Sequence, residues 1–213
     1  MHKIVFNSQY NLWVPSDEPR LLQKDWFEKT MKTVDRDTAF TINHSKGRNV
    51  CVQAGACFGI WPQRLAKTYG TVVTFEPDPV LFSCVERNTD PLKVMAINAA
   101  LGANQDTVTF YRAKHGTGTT VPNPNNVPTS TYNVHQVTID SLDLEACDAI
   151  ILDIERGEPD ALRGAIQTIR TFKPPIQVEL HDKSKDEIND VLVSMGYSLA
   201  ARVGSRDAVY LHA

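Results

Sequence analysis

Cysteine is scarce in this 213-residue chain: Cys51, Cys57, Cys84 and Cys147 are the four present, with no C-x-x-C pair and no histidine cluster beside them. A zinc-finger type of site is thereby excluded, and no metal is expected. Cys51, Cys84 and Cys147 sit among apolar residues, as small buried hydrophobes do. Free buried thiols suit a reducing compartment, so a cytoplasmic location is expected. Basic charge is also short. Lys and Arg number 22 against 25 Asp and Glu, a formal net charge of −3, which speaks against a protein that lives on a phosphate backbone. No run approaches the roughly 20 apolar residues of a membrane span. The opening MHKIVFNSQYNLWVPSDEP has no apolar stretch of the signal-peptide kind. Internal repeats and long charge runs are absent. So are G-x-G-x-x-G and the Lys-bearing phosphate loop, which disfavours a dinucleotide or a triphosphate as ligand.

What is present is an alternation of strands and helices. RLLQKDWFEKTMKTV, residues 20–34, has the spacing of an amphipathic helix. RNVCVQA, TVVTFEP, KVMAINAAL, DTVTFYRA, CDAIILDIE and PIQVELH read as strands. GIWPQRLAKTYG, DPVLFSCVERN, EPDALRGAIQTIRTF and SKDEINDVLVSMG read as helices, the last with Ser184 and Glu187 at capping-box spacing. Asp78 is placed to cap the helix that Pro79 opens. YSLAARVG and DAVYLHA, joined by Ser-Arg, end the chain as an antiparallel hairpin. Residues 114–135, rich in Gly, Pro, Asn and Thr, are predicted to be one long loop over the site. This order predicts a mostly parallel sheet of seven strands covered on both faces. Ligands of such sheets bind beyond the carboxyl ends of the strands.

Two strand ends narrow the ligand. Gly55 and Gly59, spaced G-x-x-x-G, form a strand-to-helix turn that a ligand can approach closely, and backbone N–H groups there suit a carboxylate. Glu76 follows at the end of the next strand, where an acid can accept both hydroxyls of a ribose. A ribose site with an amino-acid site, and no phosphate cradle, describes S-adenosylmethionine.

Several motifs in series then resemble one family. VQAGACFGIWPQRLAKTYGTVVTFEPDPVLFSCVERN is similar to motifs I and II of the FkbM-type class I methyltransferases, which read as an apolar strand, an acid, G-A-N-x-G, a helix and then F-E-P. INAALGANQDTVTFY, VTIDSL and QVELH resemble that family's following elements. ILDIERGEPDALRGA resembles its signature K-(I/V)-D-(V/I)-E-G-x-E-x-x-V-L-x-G-A. The resemblance spans about residues 49–200. It departs in three places: Gln53 stands for an acid, Cys57 for Asn, and Arg156 enters DIERGE so that the glycine is displaced by one.

The resemblance implies a Rossmann-like class I methyltransferase fold. Residues 1–46 would be an N-terminal helical extension and 47–213 the catalytic domain. It further implies Gln53, Gly55, Ala56 and Gly59 around the amino-acid end of S-adenosylmethionine, and Glu76 on the ribose. Pro77, Asp78, Asn98 and Ala99 would lie near the adenine, and Asp153 near the methyl group. Asp153, Glu155, Glu179 and His181 are the candidates for the acceptor side, where a carboxylate or a histidine can serve as general base. Glu158, followed by Pro159, also reads as part of a helix start. Trp13, Trp26, Trp61 and Tyr132 are aromatic surfaces on which a sugar could stack. The expected reaction is O-methylation of a sugar or other small polar acceptor, with a small molecule or glycan as partner and a homo-oligomer left open. The alternative is a binding or structural protein that keeps the fold without using the cofactor.

Overall fold

The computed structural model describes residues 4–213 apart from positions 17, 19, 21, 22, 24, 114–116 and 123–126. Leu21 and Leu22, at the start of the predicted first helix, and parts of the predicted 114–135 loop therefore lie outside the described residues.

The central sheet has seven strands in the order β12-β13-β11-β10-β3-β4-β5. Its parallel members are β3 (Val50–Ala54), β4 (Thr71–Phe75), β5 (Val94–Ile97), β10 (Ala149–Leu152) and β11 (Ile176–Glu179). The closing hairpin of β12 (Tyr197–Val203) and β13 (Asp207–His212) joins antiparallel through β13 against β11, as the sequence predicts. The period-2 alternation of a strand distributes side chains between two cores. Val52, Ala54, Val73, Phe75, Ile150 and Leu152 go to one face, where α4 (Glu158–Arg163), α5 (Ile166–Phe172) and α6 (Lys185–Ser194) cover them through Leu162, Ile169 and Ile188. Cys51, Val72, Ala149 and Ile151 go to the other, where α1 (Trp26–His44) and α2 (Ile60–Leu65) contribute Ile42, Trp61 and Leu65. Because β10 is buried on both faces, the strand reads AIIL with no polar position.

Several elements differ from their sequence reading. The N-terminal segment contains an antiparallel hairpin, β1 (Ile4–Asn7) with β2 (Leu12–Pro15), whose Leu12 and Val14 pack with Leu81 and Cys84 of α3 (Pro79–Asn88). Four-residue strands with mixed burial carry too little periodicity to announce themselves. The predicted loop is partly sheet. β8 (Gly118–Thr119) and β9 (Ser130–Val137) pair with β7 (Asp106–Arg112), and β6 (Ala100–Leu101) adds to β9, giving a separate four-stranded sheet. Its polar, Thr-rich strands fit a surface sheet with one small core of Ala100, Phe110 and Val134. The Ser184–Glu187 capping box does not form, since Ser184 makes no side-chain cap bond to α6. Asp78 does cap α3, accepting from the N–H groups of Val80 (2.8 Å) and Leu81 (3.3 Å).

The helix predicted over residues 158–172 is two helices, with Gly164 and Ala165 between them. The Asp140–Leu142 turn explains the break. Gly164 gives its carbonyl to the Asp140 N–H at 2.9 Å. The Asp140 carboxylate caps α5 from a distance, accepting from the N–H groups of Gln167 (2.9 Å) and Thr168 (2.8 Å) and from the Thr168 hydroxyl (2.7 Å). Ala165, at the start of α5, has no side chain able to do this. Among the described residues no helix is long and apolar enough to cross a membrane.

Asp140→Ala is expected to cost about 1–2 kcal/mol of stability, the usual loss for a helix cap with several acceptor bonds. Urea unfolding checks it: an unchanged midpoint would show that α5 does not need this cap.

Candidate functional site

β3, β4, β5 and β10 end on the same edge of the sheet, and a cavity opens there. Its floor starts at the turn after β3. Gly55 (φ 87°), Cys57 (φ 54°) and Gly59 (φ 100°) all have left-handed backbone. At Gly55 the requirement is absolute, since a Cβ there would lie 1.9 Å from the Asp153 carbonyl oxygen. The conformation of Cys57 aims its N–H at Glu76 Oε2, 2.8 Å away. Asn, which stands here in the motif that the sequence resembles, tolerates left-handed backbone better than Cys does.

Glu76 is only 5% exposed. Its second oxygen accepts from the Asp78 N–H at 3.0 Å. Burial, helped by the nearby Asp78 charge, pushes its carboxyl up to about 8. Pro77, Ala99, Leu101 and Phe110 supply an apolar side of the cavity, and Trp61 lines it as well. The small sheet contributes Thr117–Thr120 and is tied down where Thr119 Oγ1 donates to the Glu155 carbonyl at 2.7 Å.

Asp153 and Glu155 form the end of the cavity after β10. Burial and then the Glu179 and Glu155 charges hold the Asp153 carboxyl well above the usual carboxylate range, and it is hydrogen-bonded to Glu179. Glu179 ends β11 and is the hub of the cluster. Its Oε2 lies 2.8 Å from His181 Nε2 and its Oε1 3.2 Å from Arg206 Nη1. Glu155 is raised by burial and by Glu179. Glu158, fully buried beneath them, accepts from the Ile154 N–H at 2.9 Å through one oxygen and leaves the other without a partner. Burial raises it to about 7. Asp207, from the closing hairpin, is likewise pushed to about 7 by burial and Glu179. Glu155, Glu179 and His181 each present a ligand atom within 4.8 Å of the others, the donor spacing of a divalent-cation site. Arg206 already supplies this cluster with positive charge.

The residues singled out in the sequence divide as follows. Gly55, Glu76, Pro77, Ala99, Asp153 and Glu155 line the cavity. His181 lines an adjoining cleft, and Glu179 links it to Asp153. Gln53, Ala56, Gly59, Asp78 and Asn98 do not line the cavity. The Gln53 side chain lies within the sheet, accepting from the Thr74 hydroxyl and donating to the Ala54 carbonyl. Asp78 is committed to its helix cap and to Arg112, 2.7 Å away. Asn98 braces the backbone after β4, donating to the Glu76 carbonyl at 2.8 Å. Of the aromatics, Trp13 packs on Phe6, Trp26 on Phe58 and Tyr132 on Phe110. Arg20, Phe110 and Asp207 escaped the sequence reading. Arg20 enters the cavity lining from the segment before α1, where it pairs with Glu18 at 2.6 Å, and no local pattern marks that approach.

The family model of the methyltransferase FkbM domain matches residues 53–199. The chain belongs to the FkbM methyltransferase family. Among solved structures it is similar to a methyltransferase FkbM from Methylobacillus flagellatus KT, at 20% identity and a TM-score of 0.58. That match covers 77% of this chain and 43% of the other, so the chain spans less than half of that relative's length. It is also similar to the magnesium protoporphyrin IX methyltransferase of Synechocystis PCC 6803 with bound S-adenosylmethionine, at 14% identity, a TM-score of 0.52, and 90% and 84% coverage of the two chains. A ribosomal protein L11 methylase from Lactobacillus delbrueckii subsp. bulgaricus matches at 10% identity and a TM-score of 0.52, with 85% and 78% coverage. These likenesses show a shared class I methyltransferase fold. Comparison with curated protein sequences yields no match.

The FkbM signature gives physical meaning to DIERGE. Glu155 (φ 54°) and Arg156 (φ 85°) are consecutive left-handed residues. The family pattern has glycine where Arg156 stands, and glycine is the residue such backbone favours. Arg156→Gly is therefore expected to leave stability unchanged or to raise it by up to about 1 kcal/mol, relief of strain being partly offset by the freer unfolded chain. A fall in the unfolding midpoint would show the arginine to be unstrained.

Glu76, Glu158 and Asp207 keep protons to about 8, 7 and 7, whereas unfolded carboxyls release theirs near 4. The folded state then binds more protons across that window. The stability they contribute is present on the acid side and is lost as pH rises through those values. Thermal unfolding of the cofactor-free protein should show a lower midpoint at about pH 8.5 than at about pH 5.5. A midpoint that rises with pH would contradict this arrangement of carboxyls.

Proposed function

We propose that this protein uses S-adenosylmethionine to methylate a hydroxyl oxygen of a sugar or other small polar acceptor. One observation carries the reading: the cavity that suits the cofactor ends on Asp153, a carboxyl with raised proton affinity held by Glu179, which His181 in turn engages.

The residues fit the cofactor. Gly55 lines the cavity and adds no side chain to it. Glu76 is fixed by two backbone N–H groups, and its remaining lone pairs are free to accept from a ribose diol. Leu101, Phe110 and Ala99 offer an apolar surface for adenine, and Arg20 is the cation in the lining for a carboxylate. When bound, the cofactor supplies a methyl group made electrophilic by a positively charged sulfur. The protein must deliver the acceptor oxygen and remove its proton. Much of the rate in such a displacement comes from positioning. Burial and the neighbouring acids make Asp153 a stronger base than an ordinary carboxylate, and Glu179 with His181 and Arg206 orients it and disperses charge. With the cofactor bound, Asp153 would take the proton of the acceptor hydroxyl as the methyl group passes to that oxygen, and the cofactor would supply a neutral thioether as leaving group.

Calorimetric titration with S-adenosylmethionine and S-adenosylhomocysteine, with NAD as control, tests the cofactor. Glu76→Ala should weaken binding of both sulfur compounds about ten-fold or more through loss of its hydrogen bonds to the ribose diol. Asp153→Asn should retain binding and lose turnover by about a hundred-fold or more. Binding unaltered in Glu76→Ala would remove Glu76 from the ribose role, and full turnover in Asp153→Asn would remove Asp153 as base.

A further inference from the structure

A second cleft adjoins the cofactor cavity, and the two share Thr117, Gly118, Thr119 and Glu155 as a common wall. An acceptor lying in this cleft would meet the cofactor across Glu155, beside His181, which also lines it. The composition of the cleft is unlike that of the chain. The whole protein carries a formal net charge of −3, yet this cleft gathers Arg156, Lys183, Arg202 and Arg206 against Glu155 and Asp182.

The pairing of those charges decides what is left over. Arg206 is engaged by Glu179 at 3.2 Å. Asp182 is fully exposed and lies 3.7 Å from Lys185. Glu155 is partly buried, with a raised proton affinity caused first by burial. The side chains of Arg156, Lys183 and Arg202 form no hydrogen bond or ion pair among the described residues, and Arg156 is near enough to Glu155 to feel its charge. They come from three separate elements: the turn after β10, the segment between β11 and α6, and β12. Three converging cations that outnumber the facing carboxylate of Glu155 form a site of positive potential that attracts an anion. Arg156 is the more telling member, because it occupies left-handed backbone (φ 85°) that suits glycine. Strain retained at a cleft is a mark of use.

We propose that the acceptor is a small phosphorylated hydroxyl compound, held through its phosphate by Arg156, Lys183 and Arg202, with the hydroxyl directed past Glu155 toward Asp153. The proposal rests on the methyl-transfer reading and specifies its substrate class. Two arginine forks and a lysine match the doubly charged, multi-oxygen phosphate better than a single carboxylate. The cleft gathers only a few cations in a chain of net charge −3, which suits a small molecule rather than a nucleic-acid backbone requiring a long basic track.

The test is an amide NMR titration of the S-adenosylhomocysteine-loaded protein with inorganic phosphate, then with glucose 6-phosphate and with glucose, at low salt. Saturable shifts are expected at residues 156, 183 and 202 for both phosphates, with half-saturation at about 1 mM or below, and none there for glucose. Arg156→Gly and the double variant Lys183→Gln/Arg202→Gln should each raise the half-saturation concentration about five-fold or more while S-adenosylhomocysteine affinity stays the same. Absence of saturable phosphate shifts at these residues, equal response to glucose, or unaltered phosphate binding in both variants overturns the proposal. If S-adenosylhomocysteine fails to bind the wild-type protein, the methyl-transfer reading fails, and the phosphate titration of the free protein still decides the cleft.

Discussion

The approach of the Gly55 backbone to the Asp153 carbonyl is the constraint on which the site depends. β3 and β10 are paired in parallel, with Ala54 opposite Leu152. The chains leave the sheet side by side, and the position of a Cβ on residue 55 is already occupied by the Asp153 carbonyl oxygen. Only glycine permits that contact. It joins two things the proposed reaction needs, a turn to receive the cofactor and a carboxyl to receive a proton. A wider strand-to-helix turn would still complete the fold, but it would separate them.

The acid cluster is organised by the same strand ends. Asp153 follows β10 and Glu179 ends β11, two neighbouring parallel strands. Their carboxyls meet because the sheet aligns the carboxyl ends of its strands, the general reason why α/β sheets bind ligands on that edge. Bringing carboxyls together in a buried place is unfavourable unless protons or cations balance them. Here the proton retained by Glu158 and the guanidinium of Arg206 provide that balance. The same arrangement that raises the proton affinity of Asp153 makes the folded state sensitive to alkaline pH.

Much of the fold was legible along the chain. The AIIL run of β10 announced a strand buried on both faces, Pro79 after Asp78 announced a capped helix, and the two final alternating runs announced the closing hairpin. Such features depend on near neighbours, so local pattern suffices. The four-stranded sheet and the N-terminal hairpin were hidden, because short polar strands owe their conformation to partners elsewhere. The candidate site was legible by position rather than by side-chain direction. Glu76 and Asp153 fell in the cavity as strand-end residues should, whereas Gln53, one residue before the turn, has its side chain within the sheet against Thr74.

The sequence by itself determined the order along the chain of the strands of the central sheet, the glycine turn, the acid at the end of β4 and membership in a methyltransferase family. Each is written in residues close together or in motifs in series. Tertiary structure alone decided that Glu179 joins Asp153 to His181, that Arg20 reaches the cavity at the strand ends, and that Arg156, Lys183 and Arg202 converge on one cleft. Those side chains are distant along the chain and share no periodicity. Their meeting depends on which strands pair and where each connection returns over the sheet, which is settled when the whole core packs.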